Sequence, residues 1–317
     1  MSINIVRFEY QDQTQWGVIR DTRITPVPGT YATTGDFVRN TTPAQLAALD
    51  GEAIAVSAVK LLSPVTRNQQ FICQGANYRQ HMIESGMDPD VKTYNMIFTK
   101  ASSCIVAADS DVIKPKRVQF LDYEIELGLV MRQVIHGPVD VTDDNLHEYV
   151  AGAVIVNDYS ARDVQIPQMQ FYKGKSFRTF GPVGPWLTLL EPREISALRS
   201  LQLKLTVNDT LRQNDTTANL VYGPAETLTE LSRVHDLEAG DLLATGTPAG
   251  CALSVPSPTK QKMAAMLPEK AKWEMFLKVQ AARPQYLKPG DVVEARIHSS
   301  DGRIDLGMQR NHIVAEE

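Results

Sequence analysis

The sequence is poor in cysteine, has no long apolar run and carries no excess of basic residues. Its three cysteines, Cys73, Cys104 and Cys251, are widely spaced and form no CxxC pair. This argues against a disulfide framework or a zinc site and predicts three small core residues. No apolar stretch approaches the length that crosses a bilayer. A formal net charge of -5, with no block of Lys and Arg, argues against nucleic-acid binding.

The remaining composition is that of an ordinary globular protein. A chain of 317 residues, with 43% hydrophobic and 22% charged residues, is long enough for a small and a large domain with ample core. Charges at Arg7, Glu9, Asp12 and Arg20 interrupt the first twenty residues, where a secretion signal would be apolar. We therefore expect a cytoplasmic protein that acts on a small molecule, with neither nucleic acid nor membrane as a partner.

The N-terminal part predicts a small α+β domain over residues 1–66. The runs "INIVRFEY", "TQWGVIR" and "TRITPV" predict a β-meander. In "TTPAQLAALDG", Thr42 can cap a helix that Gly51 closes. A strand-like run, "AIAVSAVKLLSPV", leads to Pro64, and we place the domain boundary just after it, between residues 66 and 67.

From residue 67 to 317 the pattern changes to many short apolar runs broken by Gly and Pro. This spacing predicts a β-rich sandwich or barrel with a few helices and argues against regular βαβ alternation. Residues 257–285 differ, because their apolar residues are spaced as in a helix. We expect a helical insertion packed on the core or on a partner subunit, with a substrate lid as the weaker alternative.

Two carboxylates lie one residue apart in the strand-like run "LDYEIELGLV", residues 121–130. Alternation along a strand places Glu124 and Glu126 on one face, with Ile125 toward the core. Two like charges this close need a cation, a proton or water to compensate them, and a hard divalent metal would do so. The alternative is an exposed strand face on which both glutamates are solvated.

A helix over "ANYRQHMIESG" would place His81 and Glu84 on one face, within hydrogen-bonding reach. A carboxylate that orients an imidazole makes it a general base for water. The alternative is an ordinary surface pair.

Three further stretches carry candidate polar groups. Asp158 follows the apolar strand "AGAVIVN", where it is either a third oxygen ligand or a helix cap. Lys175, between small residues, can donate to an oxyanion or simply be exposed. Gly246 and Thr247 form a turn after a strand, which either binds a carboxylate or is a plain turn.

Six motifs, "CQGANYRQH", "DYEIELGLVM", "VNDYSARDVQ", "GKSFRTFGPVGPWL", "GDLLATGTPAG" and "YLKPGDVVEARI", resemble those of the fumarylacetoacetate hydrolase superfamily in their order. The resemblance runs from about residue 70 to the C-terminus and points to the branch of acylpyruvases and 2-oxo-hept-3-ene-dioate hydratase-isomerases. It implies a mainly β fold with α+β elements, in which a mixed β-sandwich roll follows the small N-terminal domain, and a homodimer.

The resemblance also implies the roles of individual residues. It implies Mg²⁺ or Mn²⁺, with Ca²⁺ as a substitute in crystals, on three carboxylates, which agrees with the donors a hard cation prefers. The implied metal ligands are Glu124, Glu126 and Asp158; the implied catalytic residues are His81, Glu84 and Lys175; the implied substrate contacts are Arg162, Gln165, Gly246 and Thr247. One departure is the stretch of 37 residues, 249–285, between "TGTP" and "YLKPGD", far longer than a usual connection.

These residues predict metal-dependent hydrolysis of a carbon–carbon bond in an acylpyruvate-like 2,4-dioxo acid. The products are pyruvate, or a substituted 2-oxo acid, and a carboxylic acid, a reaction that by resemblance suits the catabolism of aromatic compounds. A metal that stabilises the pyruvate enolate also suits an oxaloacetate decarboxylase or an oxo-dienoate isomerase or hydratase. A non-enzymatic binding protein with a structural ion is the third alternative.

Overall fold

The computed structural model describes residues 2–256 and 266–317. These residues form mostly strands with some short helices, and this confirms the predicted mainly β fold class. The strands, in chain order, are β1 (Ile3–Tyr10), β2 (Gln13–Arg20), β3 (Arg23–Pro26), β4 (Ile54–Ala55), β5 (Lys60–Leu62), β6 (Phe71–Gly75), β7 (Met96–Lys100), β8 (Ile105–Val106), β9 (Val112–Lys114), β10 (Leu121–Asp122), β11 (Ile125–Met131), β12 (Val150–Asn157), β13 (Ser160–Ala161), β14 (Gly181–Pro182), β15 (Leu187–Leu189), β16 (Gln202–Val207), β17 (Thr210–Thr216), β18 (Leu242–Ala244), β19 (Val292–His298) and β20 (Asp305–Ala315).

The helices are short and lie between the strands. They are α1 (Thr34–Asn40), α2 (Pro43–Ala47), α3 (Arg79–Glu84), α4 (Leu146–Tyr149), α5 (Arg162–Gln168), α6 (Phe171–Lys175), α7 (Pro224–Leu231) and α8 (Glu269–Ala281). Single turns of 3₁₀ helix occupy Val56–Ala58, Ser102–Cys104 and Thr217–Asn219, and a longer one occupies Pro192–Arg199.

Two sheets enclose the main core. In the described part of the chain, the larger sheet has eleven strands, in the order β4-β3-β2-β1-β15-β12-β11-β18-β6-β7 with β5 paired to β1. The smaller one has five strands, in the order β17-β16-β19-β20-β9. Leu127 and Leu129 of the larger sheet share one buried cluster with Leu205 and Ala295 of the smaller sheet. Apolar burial between the two sheets is therefore the main stabilising interaction of the fold.

Strands β11 and β12 lie in the middle of the larger sheet, and every residue of both is buried. Their sequences, "IELGLVM" and "VAGAVIVN", are nearly continuous apolar runs, as expected for strands covered on both faces. The antiparallel register pairs Ile125 with Asn157 and Glu126 with Val156. This register brings the start of β11 and the end of β12, where the candidate ligands lie, to the same edge of the core.

The N-terminal part agrees with the sequence prediction in outline. Strands β1, β2 and β3 form the predicted antiparallel meander, and the Thr42 side chain caps α2. The prediction that Gly51 closes this helix is wrong, because α2 already ends at Ala47. The predicted single strand over residues 53–65 is two short strands separated by a 3₁₀ turn. Strand β1 also pairs with β15, through Ile3 and Leu189, and the boundary at residue 66 stays a prediction.

The predicted helical insertion is only partly described, because residues 257–265 lie outside the described residues. Helix α8 buries only one of its side chains, Gln280. Its apolar residues are largely exposed, at 41% for Met275 and 49% for Val279. The expected packing of α8 on the core is therefore not found, whereas packing on a partner subunit stays a prediction, as do the homodimer and the cytoplasmic location.

Two smaller expectations concern the cysteines and membrane-spanning helices. All three cysteines are buried and free, as predicted. Across residues 2–256 and 266–317, none of the helices combines the length and the apolar character needed to cross a membrane.

Candidate metal and catalytic site

The predicted site residues lie around one cavity of about 200 Å³ at the edge where β11 begins. Eight of the ten line its wall: His81, Glu84, Glu124, Glu126, Arg162, Gln165, Lys175 and Thr247. The other two contact residues of this wall, because Asp158 bonds to Lys175 and the Gly246 N–H donates to Glu126. Residues separated by more than 160 positions in the sequence are thus brought together by the sheet.

Glu124, Glu126 and Asp158 form a buried triad of carboxylates. Each offers an oxygen atom, and these atoms all lie within 4.8 Å of one another. The strand pairing explains this, because the Asp158 N–H donates to the Glu124 carbonyl at 2.9 Å and Asn157 Oδ1 accepts the Glu124 N–H at 3.0 Å. The alternative of a solvated strand face is wrong, since Glu124 is 4% and Glu126 1% exposed.

Glu126 is the least compensated member of the triad, because the nearby charge of Lys175 opposes only part of the effect of burial and of the other two carboxylates. Its Oε2 accepts the Gly246 N–H at 2.9 Å, and within residues 2–256 and 266–317 it forms no ion pair. Burial, and then the charges of Asp158 and Glu124, raise the pKa of Glu126 well above its ordinary value. Such a carboxyl group needs either a proton or a cation. Three carboxylates around one point are also the oxygen donors that a hard divalent cation prefers, so the residues present fit a metal site.

Glu124 is held by two cations. Arg162 donates to one of its oxygens and Lys175 to the other. Burial by itself raises the pKa of Glu124, but the charges of Arg162 and Lys175 outweigh this and lower it to about 2. Arg162 also donates to Gln165 Oε1 at 2.7 Å. Arg162 is only 3% exposed, so its charge is compensated by these buried partners and not by solvent.

Lys175 connects two members of the triad. Its Nζ donates to Glu124 and, at 2.5 Å, to Asp158 Oδ2. Burial alone lowers the pKa of Lys175, but Asp158 and Glu124 outweigh it and raise the pKa, so this side chain is an ammonium group. An ammonium group has three donors, and one remains for a molecule in the cavity that Lys175 lines.

Two charged members of this network were missed in the sequence. Lys100, at the end of β7, donates to Asp158 Oδ1 at 2.5 Å and to the Phe180 carbonyl at 2.8 Å. Asp122 accepts a bond from Arg162 Nε at 2.8 Å. The available signals were a lysine that closes the apolar run "MIFT" and an aspartate two residues ahead of Glu124.

His81 lies on α3 with Glu84, and both side chains reach the cavity. In the described part of the chain, His81 Nδ1 is buried and has no hydrogen-bond partner, so Glu84 does not hold it there as predicted. Burial lowers the pKa of His81 despite the opposing charges of Glu124 and Glu84. The imidazole is therefore neutral at neutral pH, and one of its nitrogens is free to accept a proton or a hydrogen bond.

Gly246 and Thr247 have partners within the protein. The Thr247 hydroxyl donates to the Ile125 carbonyl at 2.9 Å and accepts from Gln213 Nε2 at 2.8 Å. Gly246 has a φ of +89°, and a Cβ at this position would lie 2.9 Å from the Cβ of Asn77. The turn therefore requires glycine and supports Glu126, while its predicted contact with a substrate carboxylate stays a prediction.

Comparison with known proteins agrees with this arrangement. Residues 70–314 match the model of the fumarylacetoacetate (FAA) hydrolase C-terminal family, and residues 4–64 match the model described as Rv2993c-like, N-terminal. The chain is 36% identical over 199 residues to oxaloacetate tautomerase YisK of Bacillus subtilis, an alignment that spans 62% of this chain and 64% of that protein. The chain thus covers less than two thirds of that relative.

Two further relatives match over more of their length. The 2,4-didehydro-3-deoxy-L-rhamnonate hydrolase of a Sphingomonas species is 32% identical over 253 residues, which cover 79% of this chain and 75% of that protein. The solved structure of fumarylacetoacetate hydrolase from psychrophilic Exiguobacterium antarcticum superposes with a TM-score of 0.75 at 29% identity, over 99% of this chain and 100% of that chain. With a family model matched along most of its length and a buried triad of carboxylates at the strand ends, the chain belongs to the fumarylacetoacetate hydrolase family.

Proposed function

We propose that this protein is a divalent-metal-dependent hydrolase that cleaves a carbon–carbon bond in an acylpyruvate-like 2,4-dioxo acid. The observation that carries the proposal is the buried, unpartnered Nδ1 of His81, a neutral base that lines the same cavity as Glu124 and Glu126 of the carboxylate triad. A base beside a cation site is what the attack of water on a carbonyl group requires.

The residues that would hold the metal are Glu124, Glu126 and Asp158, and Mg²⁺ or Mn²⁺ suits their oxygen donors. When bound, the cation would act as a Lewis acid that stabilises negative charge on the oxygens of the 2-oxo acid. Arg162 and Lys175 lower the pKa of Glu124 and keep it ionised at neutral pH, which is the form in which a carboxylate binds a cation.

His81 starts the reaction by taking a proton from water. The hydroxide oxygen forms a bond to the distal carbonyl carbon of the substrate. The double bond of this carbonyl group opens, and its electron pair moves to the carbonyl oxygen. When this double bond forms again, the bond between the distal carbonyl carbon and the neighbouring methylene breaks. Its electron pair remains on pyruvate as the enolate, which takes up the proton that His81 carries, and the other product is a carboxylic acid. The overall balance is one water consumed and no oxidant needed.

Lys175 and Glu84 support these steps. Lys175 has a third N–H that can donate a hydrogen bond to the oxyanion formed in the reaction. Removal of such a donor costs on the order of a hundredfold or more in turnover. The negative charge of Glu84 raises the pKa of His81, against the larger effect of burial, and so favours the protonated imidazole that forms during the reaction.

A second candidate reaction is tautomerisation or isomerisation of a 2-oxo acid through the same enolate. The observation in its favour is the 36% identity to an oxaloacetate tautomerase. This reaction moves a proton between two positions and breaks no carbon–carbon bond. It therefore needs His81 but no attacking water, whereas decarboxylation of oxaloacetate needs neither.

The test is product identification by NMR on one mixture of acetylpyruvate and oxaloacetate, with Mg²⁺ and then with excess EDTA. The proposal predicts pyruvate and acetate from acetylpyruvate, and their disappearance with EDTA. Exchange of the oxaloacetate methylene protons with solvent deuterium, without acetate, would instead establish the tautomerase. Pyruvate from oxaloacetate alone would mean a decarboxylase.

A further inference from the structure

The cavity lined by His81, Glu124 and Glu126 is called the catalytic cavity below. A second cavity, of about 290 Å³, adjoins it. The two cavities share four wall residues: Gly75, Ala76, Met87 and Met96. A Cβ at position 75 would lie 2.6 Å from the Met96 sulphur, so the absence of a side chain at Gly75 leaves this space to the thioether. The shared wall thus consists of two small residues and two flexible thioether chains, and a chain-like molecule can pass it with little rearrangement.

The wall of the second cavity is mostly apolar. It includes Met82, Val91, Tyr94 and Tyr222 in addition to the shared methionines. Met82 is 6% exposed and closes the inner end, whereas Val91 and Tyr94, at 58% and 61%, form an open rim. Thioether and aromatic groups of this kind bind alkyl or aryl groups by burial of apolar surface.

The described wall residues of this cavity include no Lys or Arg, and two cations that precede or follow wall residues in the chain already have carboxylate partners. Lys92 bonds to Glu226 at 2.6 Å, and Arg79 bonds to Asp90 at 2.7 Å. Asp88 lines the cavity and would repel an anion.

The catalytic cavity offers no further cation. Among the described wall residues, Arg162 and Lys175 are its cations, and both are bound to Glu124. The remaining N–H of Lys175 is assigned to the oxyanion, so a second carboxylate at the far end of a substrate would lose its water without gaining a cationic partner, which is costly.

We infer that the second cavity receives the acyl group of the substrate, and that this group is an uncharged alkyl or aryl chain. The inference rests on the proposed function, since it takes the 2-oxo acid end to lie at the triad and the distal carbonyl to lie at His81. The acyl group then passes Met87 and Met96 into the second cavity. The substrates are therefore monocarboxylic acylpyruvates, and dicarboxylic ones bind poorly.

The test measures binding apart from catalysis. Unbranched 2-oxo acids from five to eight carbons carry no second ketone and cannot be cleaved by water, so they report binding alone. Their affinities for the Mg²⁺-loaded protein are measured by titration calorimetry, together with the matching 2-oxo dicarboxylic acids. We expect affinity to rise about fourfold for each methylene buried, and each dicarboxylic acid to bind at least about tenfold more weakly than its monocarboxylic counterpart.

Two variants, each with a valine replaced by lysine, test whether the dependence of affinity on chain length comes from the second cavity. Val91→Lys adds a charge to the rim of the second cavity, and Val234→Lys adds one at a 73% exposed position outside both cavities. We expect Val91→Lys to abolish the gain in affinity with chain length and Val234→Lys to retain it. Both positions are exposed, so both variants are expected to fold.

The two proposals fail separately. Affinity that does not change with chain length, or dicarboxylic acids that bind as tightly as monocarboxylic acids, would overturn this inference even if acetylpyruvate is hydrolysed. A chain-length dependence without release of pyruvate from any acylpyruvate would overturn the hydrolase and leave the apolar subsite in place.

Discussion

Lys100 and Asp158 form an ion pair of 2.5 Å in which neither side chain is exposed to solvent. Burial alone would lower the pKa of Lys100, but the charge of Asp158 outweighs it and the pKa is raised. The second oxygen of Asp158 bonds to Lys175, so this carboxylate lies between two ammonium groups. Lys100 does not line the catalytic cavity, so it can affect the reaction only through its contact with Asp158. We therefore assign it the role of a positioning residue.

Replacement of Lys100 by methionine tests this role. Methionine has a similar length but no donor and no charge, so Asp158 and the Phe180 carbonyl each lose a partner. We expect the free energy of unfolding to fall by about 3 kcal/mol in urea denaturation, because one half of a buried ion pair remains. We also expect weaker Mn²⁺ binding in titration calorimetry, although the site gains net negative charge.

Lys92→Met is the matched control for this experiment. Lys92 is a 45% exposed lysine that pairs with Glu226, and a surface pair contributes less than about 1 kcal/mol. Mn²⁺ binding that becomes tighter in a folded Lys100→Met protein would show that Lys100 only neutralises charge and does not position Asp158.

The general base can be tested by replacing His81 with alanine. We expect hydrolysis of acetylpyruvate to fall by about 10²- to 10⁴-fold, which is the usual contribution of a general base, while any decarboxylation of oxaloacetate is largely spared. The control is His312→Ala, which removes an exposed imidazole outside the cavity. Full hydrolysis by the His81→Ala variant would exclude His81 as the base.

The pH dependence of kcat/KM follows from the lowered pKa of His81. Burial keeps this pKa below its ordinary value of 6.5, so the base is neutral throughout the neutral range. We expect kcat/KM to rise as pH increases through a single pKa below 6.5 and then to level off. The free energy of unfolding changes with pH in the same direction. The unfolded chain binds the proton of His81 more readily than the folded chain does, so the folded state loses stability as pH falls below 6.5. A limb above pH 7 that disappears in His81→Ala would contradict this assignment.

Glu126→Gln tests the need of the triad for a cation. The pKa of Glu126 is raised by burial and by its two carboxylate neighbours, so loss of its charge relieves repulsion in the metal-free protein. We expect the metal-free variant to be at least as stable as the metal-free wild type in thermal melts. The increase in Tm that Mg²⁺ or Mn²⁺ gives the wild type is expected to be small or absent in the variant. An equal increase in both proteins would place the cation elsewhere.

The triad could be predicted from the sequence because the patterns that indicate its three residues extend over only a few positions of the chain. Strand alternation placed Glu124 and Glu126 on one face, and the end of an apolar run marked Asp158. The partners of these carboxylates could not be predicted in the same way. Lys100 meets Asp158 only because β6 and β18 bring β7 into the sheet that also contains β12, and no short motif encodes that strand order.

Other misses have local causes. Helix α1 was not predicted, although its capping box is formed by Thr33 and Asp36, because its short sequence has no apolar periodicity. Gly51 was taken as a helix end, but the helix stops one turn earlier, since five residues form it and Ala48 caps it. The bond between His81 and Glu84 was inferred from spacing alone, and spacing does not fix the orientation of a side chain.

The pairing of β1 with β15 has a consequence for the order of folding. Strand β1 forms a local hairpin with β2, but Ile3 and Leu189 are far apart in the chain, so the pairing with β15 cannot form until more than half of the protein has been synthesised. Strand β15 also pairs with β12, the strand that ends beside Asp158. Long-range pairing of this kind closes large loops and is slow. The edge of β1 that faces β15 is therefore paired late in folding, and the same strand β15 must be in place on the side of β12, the strand that ends beside the carboxylate triad.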